Sequence, residues 1–187
     1  TTIPAGAQGT YGIVTNSNLW FTGFSSCTDH TSSTGNMMVI DGSILNSGND
    51  KLWCQTVPVI PGQNYTFSYW VQTVATPNPA NIEVLINGAS VGIALAPATS
   101  CGWVQRTYTW NSGASTSAQI CLYNRVITSG GNDFAIDDIS FSAPITCTLS
   151  EDVTITVNPS LSAAISCGVS TASSLSFNCA EVTWAFS

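Results

Sequence analysis

The sequence predicts an all-β fold in which two antiparallel sheets pack into a sandwich. Short runs of alternating apolar and polar residues recur along the chain, and Gly, Asn, Pro and Ser separate them. Asn87-Gly88 is a strong hairpin-turn signal, and it joins two such runs at 82–86 and 91–94. No segment shows the 3.6-residue apolar period of an amphipathic helix.

The clearer strands follow from residue type and from the turns between them. They are predicted at 37–40, 51–57, 64–74, 81–86, 104–110, 118–124 and 134–141. Most contain β-branched and aromatic residues alternating with polar ones, which is typical of strands with one buried face. The prolines of 58–62 and the Pro77-Asn78-Pro79 segment place loops on either side of strand 64–74.

The composition indicates an extracellular protein. Charged residues make up 7% of the 187 residues, against about 25% in ordinary soluble domains. The net charge of -7 and the absence of a basic patch exclude nucleic acid as a partner. No apolar run is long enough for a membrane span. Because the chain begins at Thr1 without a Met or a signal-peptide pattern, we expect a processed N-terminus.

The cysteines predict disulfides in an oxidising compartment. Seven cysteines are present, at positions 27, 54, 101, 121, 147, 167 and 179. They form no C-x-x-C motif, and one His cannot complete a typical zinc site. The plausible pairs are Cys101 with Cys121 across a hairpin, Cys27 with Cys54, and Cys167 with Cys179. The odd number leaves one thiol free or linked to another chain.

Three of the ten carboxylates lie in two acidic motifs about 110 residues apart. Asp29 belongs to the first motif, and Asp137 and Asp138 to the second. On an extended strand Asp137 and Asp138 point to opposite faces, so one of them points into the sandwich. With only three Lys and Arg in the chain, a hard cation is the cheaper partner for such a carboxylate, which predicts calcium at Asp29 and Asp138. Alternatively, Asp29 caps a turn and the Asp pair accepts backbone amides.

The same motifs carry a family resemblance. Asp29-His30-Thr31 with the 35–38 segment, followed by 134–141 and Cys147, resembles the MAM adhesion domain. It is equally similar to the jelly-roll carbohydrate-binding modules of the galactose-binding-like superfamily found in bacterial surface proteins. The resemblance covers roughly residues 8–157. It implies a two-sheet jelly roll, often with a structural calcium, and a binding role rather than a catalytic one.

A second unit is predicted after the sandwich, which gives domains at 1–158 and 159–187. Residues 161–187 resemble the first two strands of a fibronectin type III or immunoglobulin-like domain, although Cys179 replaces the usual tryptophan. Such a domain needs about 100 residues, far more than remain. This short C-terminal β extension therefore belongs to a longer domain or pairs with another sheet.

A sugar site needs an exposed aromatic ring beside hydrogen-bonding side chains. Strand 64–74 places Thr66, Ser68, Trp70 and Gln72 on one mostly polar face, and strands 81–86 and 118–125 offer further candidates. The predicted glycan groove consists of Trp70, Gln72, Glu83, Tyr123 and Arg125. In the alternative, Trp70 packs under a loop and Glu83 pairs with Arg125 as a surface ion pair.

These observations lead to two hypotheses, neither of them enzymatic. His30 lacks a marked nucleophile, and two adjacent strand carboxylates cannot flank one glycosidic bond. The first hypothesis is a secreted, calcium- and disulfide-stabilised module that binds a polysaccharide or glycan. The second is a subunit of an extracellular filament that assembles when residues 159–187 add as strands to a neighbour.

Overall fold

The computed structural model describes residues 7–45, 48–128 and 130–144, which contain nine strands and one single-turn helix. In chain order these are β1 (Thr10–Val14), α1 (Ser17–Trp20), β2 (Met37–Asp41), β3 (Asp50–Pro58), β4 (Asn64–Ala75), β5 (Asn81–Ile86), β6 (Ala89–Leu95), β7 (Val104–Asn111), β8 (Ser117–Asn124) and β9 (Asp133–Ser142). Every strand predicted between residues 37 and 141 is present with bounds close to the prediction. The additional elements are β1 and α1.

The strands form two antiparallel sheets with jelly-roll connectivity. One sheet has the order β1-β2-β9-β4-β7, and the other has the order β3-β8-β5-β6. The pairs β5–β6, β4–β7, β3–β8 and β2–β9 are nested inside one another along the chain. Such nesting is what results when one long antiparallel hairpin rolls up into two facing sheets. The predicted all-β jelly-roll sandwich is therefore confirmed.

The tip of this nested hairpin is the turn that the sequence predicts. Asn87 and Gly88 both have positive φ, 52° and 80°, which is the backbone conformation of a type I′ turn. Asn87 adopts it at little cost, and its side chain donates to Ser117 O and accepts from the Gln119 amide. The turn therefore fixes the β5–β6 register and ties the tip to β8.

The main core lies between the two sheets. Its largest fully buried side chains are aromatic and aliphatic residues from inward-facing positions, and they include Phe67, Tyr69, Ile82, Ile120, Leu122, Phe134 and Phe141. Phe67, Tyr69 and Val71 form the inward face of β4, as the sequence alternation predicts. Burial of this apolar surface is the main driving force for the fold.

A second, smaller core covers part of the outer face of the five-stranded sheet. Phe24 and Cys27, from the segment after α1, pack there against Met37, Val39 and Val74. Trp20 and Trp103 complete the cluster from its edges. The loop segment between α1 and β2 is therefore held on the sheet by apolar contacts.

The disulfides differ from the expected pairs. Cys27 bonds to Cys101, and Cys54 bonds to Cys121, so the pairings Cys101–Cys121 and Cys27–Cys54 are wrong. Cys54 and Cys121 face each other directly in the β3–β8 register. Sequence proximity misleads here because nested pairing brings together strands that are far apart in the chain. Cys147, Cys167 and Cys179 lie outside the described residues.

The predictions for the C-terminal segment concern residues outside the described ones. These include the boundary at 158, the partial fibronectin- or immunoglobulin-like unit at 159–187 and its role in self-assembly. In the part of the chain that the structure describes, no helix has the length and apolar character needed to cross a membrane.

The Cys27–Cys101 bridge gives a first prediction. It closes a loop of 74 residues, and the chain-entropy contribution of a loop of that size is about 4 kcal/mol. We expect the double variant Cys27→Ala, Cys101→Ala to lose roughly that free energy of unfolding in urea denaturation. Non-reducing peptide mapping should find the 27–101 and 54–121 cross-links in the wild type, and cross-linking of Cys101 to Cys121 would contradict the structure.

Candidate functional site

The loop that carries the first acidic motif is organised by the Asp29 carboxylate. Oδ1 accepts a hydrogen bond from the Gly35 amide at 2.8 Å, and Oδ2 accepts one from the Ser32 amide at 2.9 Å. The Ser32 hydroxyl donates to Oδ2 as well, at 3.1 Å. Burial would raise the pKa of Asp29, but the hydrogen bonds from Ser32, Gly35 and Thr31 outweigh it and lower the pKa. Asp29 therefore acts as a charged cap for its own loop.

A β-bulge changes the expected orientation of the second acidic motif. The β4–β9 register shifts between Ser68 and Trp70, and Asp138 takes a positive φ of 46°. The extra residue breaks the alternation of β9, so Asp137 and Asp138 both reach the loop on the outer face. The expectation that they point to opposite faces, with one of them inside the sandwich, is wrong for this reason.

Both aspartates bind His30. The His30 amide donates to Asp137 Oδ2 at 2.9 Å, and His30 Nδ1 lies 2.7 Å from Asp138 Oδ2. The Thr31 hydroxyl also donates to Asp138 Oδ2, at 2.6 Å. Burial raises the pKa of Asp137 despite the hydrogen bonds from His30 and Asp138. The two acidic motifs therefore meet, and they are joined through histidine and backbone amides.

The same contacts cover Trp70. The His30 ring stacks on the Trp70 ring with centroids 3.7 Å apart, and the Trp103 ring meets His30 edge-on at 5.9 Å. Gln72 is fully buried, and its Nε2 donates to Thr28 O at 3.0 Å. Trp70 and Gln72 thus hold the loop on the five-stranded sheet, which is the packing that the sequence left open as an alternative.

The five residues of the predicted groove do not come together. Trp70 and Gln72 lie on β4, in the five-stranded sheet, whereas Glu83 lies on β5 and Tyr123 on β8, in the four-stranded sheet, and Arg125 directly follows β8. A single groove across these three strands is therefore wrong. Strand alternation identified the faces correctly, but only the topology determines which strands share a sheet.

Glu83, Tyr123 and Arg125 do form a cluster with Lys51, and we call these four residues the Tyr123 cluster. In register, Tyr123 lies between Lys51 of β3 and Glu83 of β5. The Arg125 guanidinium lies 4.7 Å from the centre of the Tyr123 ring, and Lys51 Nζ lies 6.0 Å from it. Two of the three basic side chains in the chain thus flank one aromatic ring.

Arg125 is fixed by contacts on both sides. Its Nε and Nη2 lie 2.7 and 2.6 Å from Glu83 Oε2, and its Nη1 donates to Gly48 O and Asn49 Oδ1. The Ser90 hydroxyl lowers the pKa of Glu83, burial opposes this, and Arg125 lowers it further. Glu83 is therefore held as a carboxylate at a partly exposed position.

Lys51 is the member of this cluster that was not predicted from the sequence. A signal for it exists, because Lys51 is one of only three basic residues and occupies an outward position of a predicted strand. Its proximity to Tyr123 depends on β3 pairing with β8, which the sequence does not reveal.

The comparisons with known proteins find weak similarity to solved structures and no match of sequence. No family model and no curated protein matches the chain. Among solved structures, the C-terminal domain of EclA, a sugar-binding protein, is 15% identical with a TM-score of 0.46, over 51% of this chain and 69% of that one. The CBM22-1 xylan-binding domain of Paenibacillus barcinonensis Xyn10C is 14% identical with a TM-score of 0.39, over 71% and 85%. A carbohydrate-binding module of Cellvibrio mixtus lichenase 5A, in complex with cellotriose, is 19% identical with a TM-score of 0.38, over 62% and 87%.

The Asp29 cap gives a second prediction. Asp29→Ala leaves the Ser32 and Gly35 amides without their acceptor, and we expect a loss of about 1 to 3 kcal/mol in unfolding free energy by chemical denaturation. Because its pKa is lowered in the folded protein, the Asp29 contribution is present above the unfolded-state pKa of about 3.9 and is lost as the pH falls through the folded-state pKa. The difference between wild type and Asp29→Asn should therefore shrink in acid, and a constant difference would contradict the cap.

Calcium at Asp29 and Asp138 stays a prediction. Both Asp29 oxygens and Asp138 Oδ2 already accept hydrogen bonds from the protein, so a cation would have to share or replace them. In residues 7–45, 48–128 and 130–144, no group of three or more His, Cys, Asp and Glu side chains is placed to hold a metal. If calcium binds here, Asp29→Asn and Asp138→Asn should each abolish a calcium-dependent rise in melting temperature. An unchanged rise in both variants would exclude these ligands.

Proposed function

We propose that this chain is a secreted, non-catalytic carbohydrate-binding module and that the glycan binds on the outer face of the four-stranded sheet at the Tyr123 cluster. The single observation that carries the proposal is the arrangement of Lys51, Glu83, Tyr123 and Arg125 in one partly exposed patch. The proposal rests on this surface and not on the solved structures of similar fold.

The chemistry of the patch suits a sugar. Pyranose rings present apolar C–H faces and a rim of hydroxyl groups, so they are recognised by an aromatic ring beside donors and acceptors. Tyr123 supplies the ring, Arg125 and Lys51 supply donors, and Glu83 supplies a charged acceptor. The apolar side chain of Ile93, which lies opposite Glu83 in the β5–β6 register and is 51% exposed, extends the patch across the fourth strand.

The patch is also preorganised, which lowers the entropy cost of binding. Tyr123 and Glu83 stand on central strands whose inward neighbours Leu122 and Val84 are fully buried. The bonds from Arg125 to Glu83 and to the 48–49 segment hold the guanidinium in place before a ligand arrives. A rigid sheet with fixed polar groups is suited to binding.

An extracellular location agrees with the covalent structure. Two disulfides link parts of the chain that are 74 and 67 residues apart in sequence, and such bonds persist in oxidising compartments. The 7% of charged residues in the chain is also far below the roughly 25% of ordinary soluble domains. We therefore include secretion in the proposal.

The test is a glycan array followed by affinity electrophoresis in gels that contain the polysaccharides retained. We expect Tyr123→Ala to weaken binding about 5- to 30-fold, because it removes the stacking ring, which is worth about 1 to 2 kcal/mol. The matched control is Tyr11→Ala, which removes an exposed ring on edge strand β1 of the other sheet.

Binding by the control and by wild type should be equal. If wild type retains no glycan, the function is wrong. If Tyr123→Ala binds as wild type does, the function stands but the site lies elsewhere. Circular dichroism of each variant separates loss of binding from loss of fold.

A further inference from the structure

A cavity of about 270 Å³ opens at the end of the sandwich where β2 ends and β9 begins. Asp41 is the last residue of β2 and Asp133 is the first residue of β9, and both line the cavity. Phe21 and Phe24 form its apolar wall, and Gln8 lies at the same opening. This site lies on the five-stranded sheet, apart from the Tyr123 cluster, and it was not predicted from the sequence.

The two carboxylates of the cavity are buried. Asp41 is 8% exposed and Asp133 is 9% exposed. Asp133 Oδ1 accepts a hydrogen bond from the Gly42 amide at 2.9 Å. Within the described residues, no protein donor bonds to the Asp41 carboxylate. A carboxylate at a largely buried position with neither a protein donor nor a counter-charge is costly to keep ionised.

Among the residues that the structure describes, no basic side chain is paired with either of them. The three basic side chains are used elsewhere: Arg125 binds Glu83, Lys51 lies over Tyr123, and Arg106 donates to Leu95 O. His30, the single histidine, binds Asp138. The other side chains that line the cavity are uncharged. Two neighbouring acids therefore lack any basic side chain of their own.

We propose that this cavity binds a divalent cation of the calcium class through the carboxylates of Asp41 and Asp133. A divalent ion neutralises both charges, whereas an organic ammonium neutralises only one. The available donors are oxygen atoms with no nitrogen or sulfur ligand among them, and this set suits calcium rather than zinc. The amide oxygen of Gln8 and water molecules, for which the cavity has room, complete the coordination.

The experiment is thermal unfolding of the full chain, first freed of metals with a chelator and then titrated with calcium chloride at about pH 8. At a hundredfold excess over Kd, we expect the melting temperature to rise by about 5 to 10 °C. Asp41→Asn and Asp133→Asn should each abolish that rise, since asparagine keeps the shape but removes the charge. Without metal, both variants should melt no lower than wild type, because the repulsion between the two acids is gone.

The controls distinguish calcium bound at Asp41 and Asp133 from a general effect of salt and from calcium bound at Asp29. Sodium chloride at matched ionic strength should give no rise, and Asp29→Asn should keep the calcium-dependent rise. The inference is overturned if wild type shows no calcium-dependent rise. It is also overturned if Asp41→Asn and Asp133→Asn keep the rise while Asp29→Asn loses it, or if choline raises the melting temperature and calcium does not.

Discussion

The nested antiparallel pairing of the strands is the constraint on which the rest of the structure depends. The pairs enclose one another along the chain, from β5–β6 at the tip to β2–β9 at the base. Asn87-Gly88 sets the register of the inner hairpin, and the register of each further pair determines which of its side chains face the core. The Tyr123 cluster and the cavity at Asp41 and Asp133 lie on strands whose positions follow from this pairing.

The scarcity of basic residues has a structural consequence. Seven carboxylates fall among residues 29–138, but only three Lys and Arg and one His are available to them. The chain compensates in different ways: backbone amides and a hydroxyl bind Asp29, His30 binds Asp137 and Asp138, and Arg125 binds Glu83. Among the described residues, Asp133 has one backbone amide and Asp41 has no protein donor, and neither is paired with a basic side chain. For this reason we propose a cation as their partner.

The outer faces of the two sheets differ in how far they are covered. On the five-stranded sheet, the segment from α1 to β2 covers β2, β9 and part of β4 with apolar contacts, a disulfide and the His30–Trp70 stack. On the four-stranded sheet, the outward side chains of β8 and β5 stay partly exposed and carry the Tyr123 cluster. Covering one face stabilises the fold, and the face left open is the one on which we propose that a glycan binds.

The local structure of this protein follows from its residue order. The strands, the Asn87-Gly88 turn and the inward face of β4 were all predictable, because side-chain alternation and turn residues act over a few residues. Which strands become neighbours was not predictable. Strand pairing sets the Cys54–Cys121 bond, divides the predicted groove between two sheets and brings Lys51 next to Tyr123. The Cys27–Cys101 bond joins two loops and depends on how they pack on the sheet. The bulge at Asp138 was not predictable either. One extra residue in β9 changes the face to which a side chain points, and the alternation of the sequence does not reveal it. Long-range pairing is a property of the whole chain, and no local pattern encodes it.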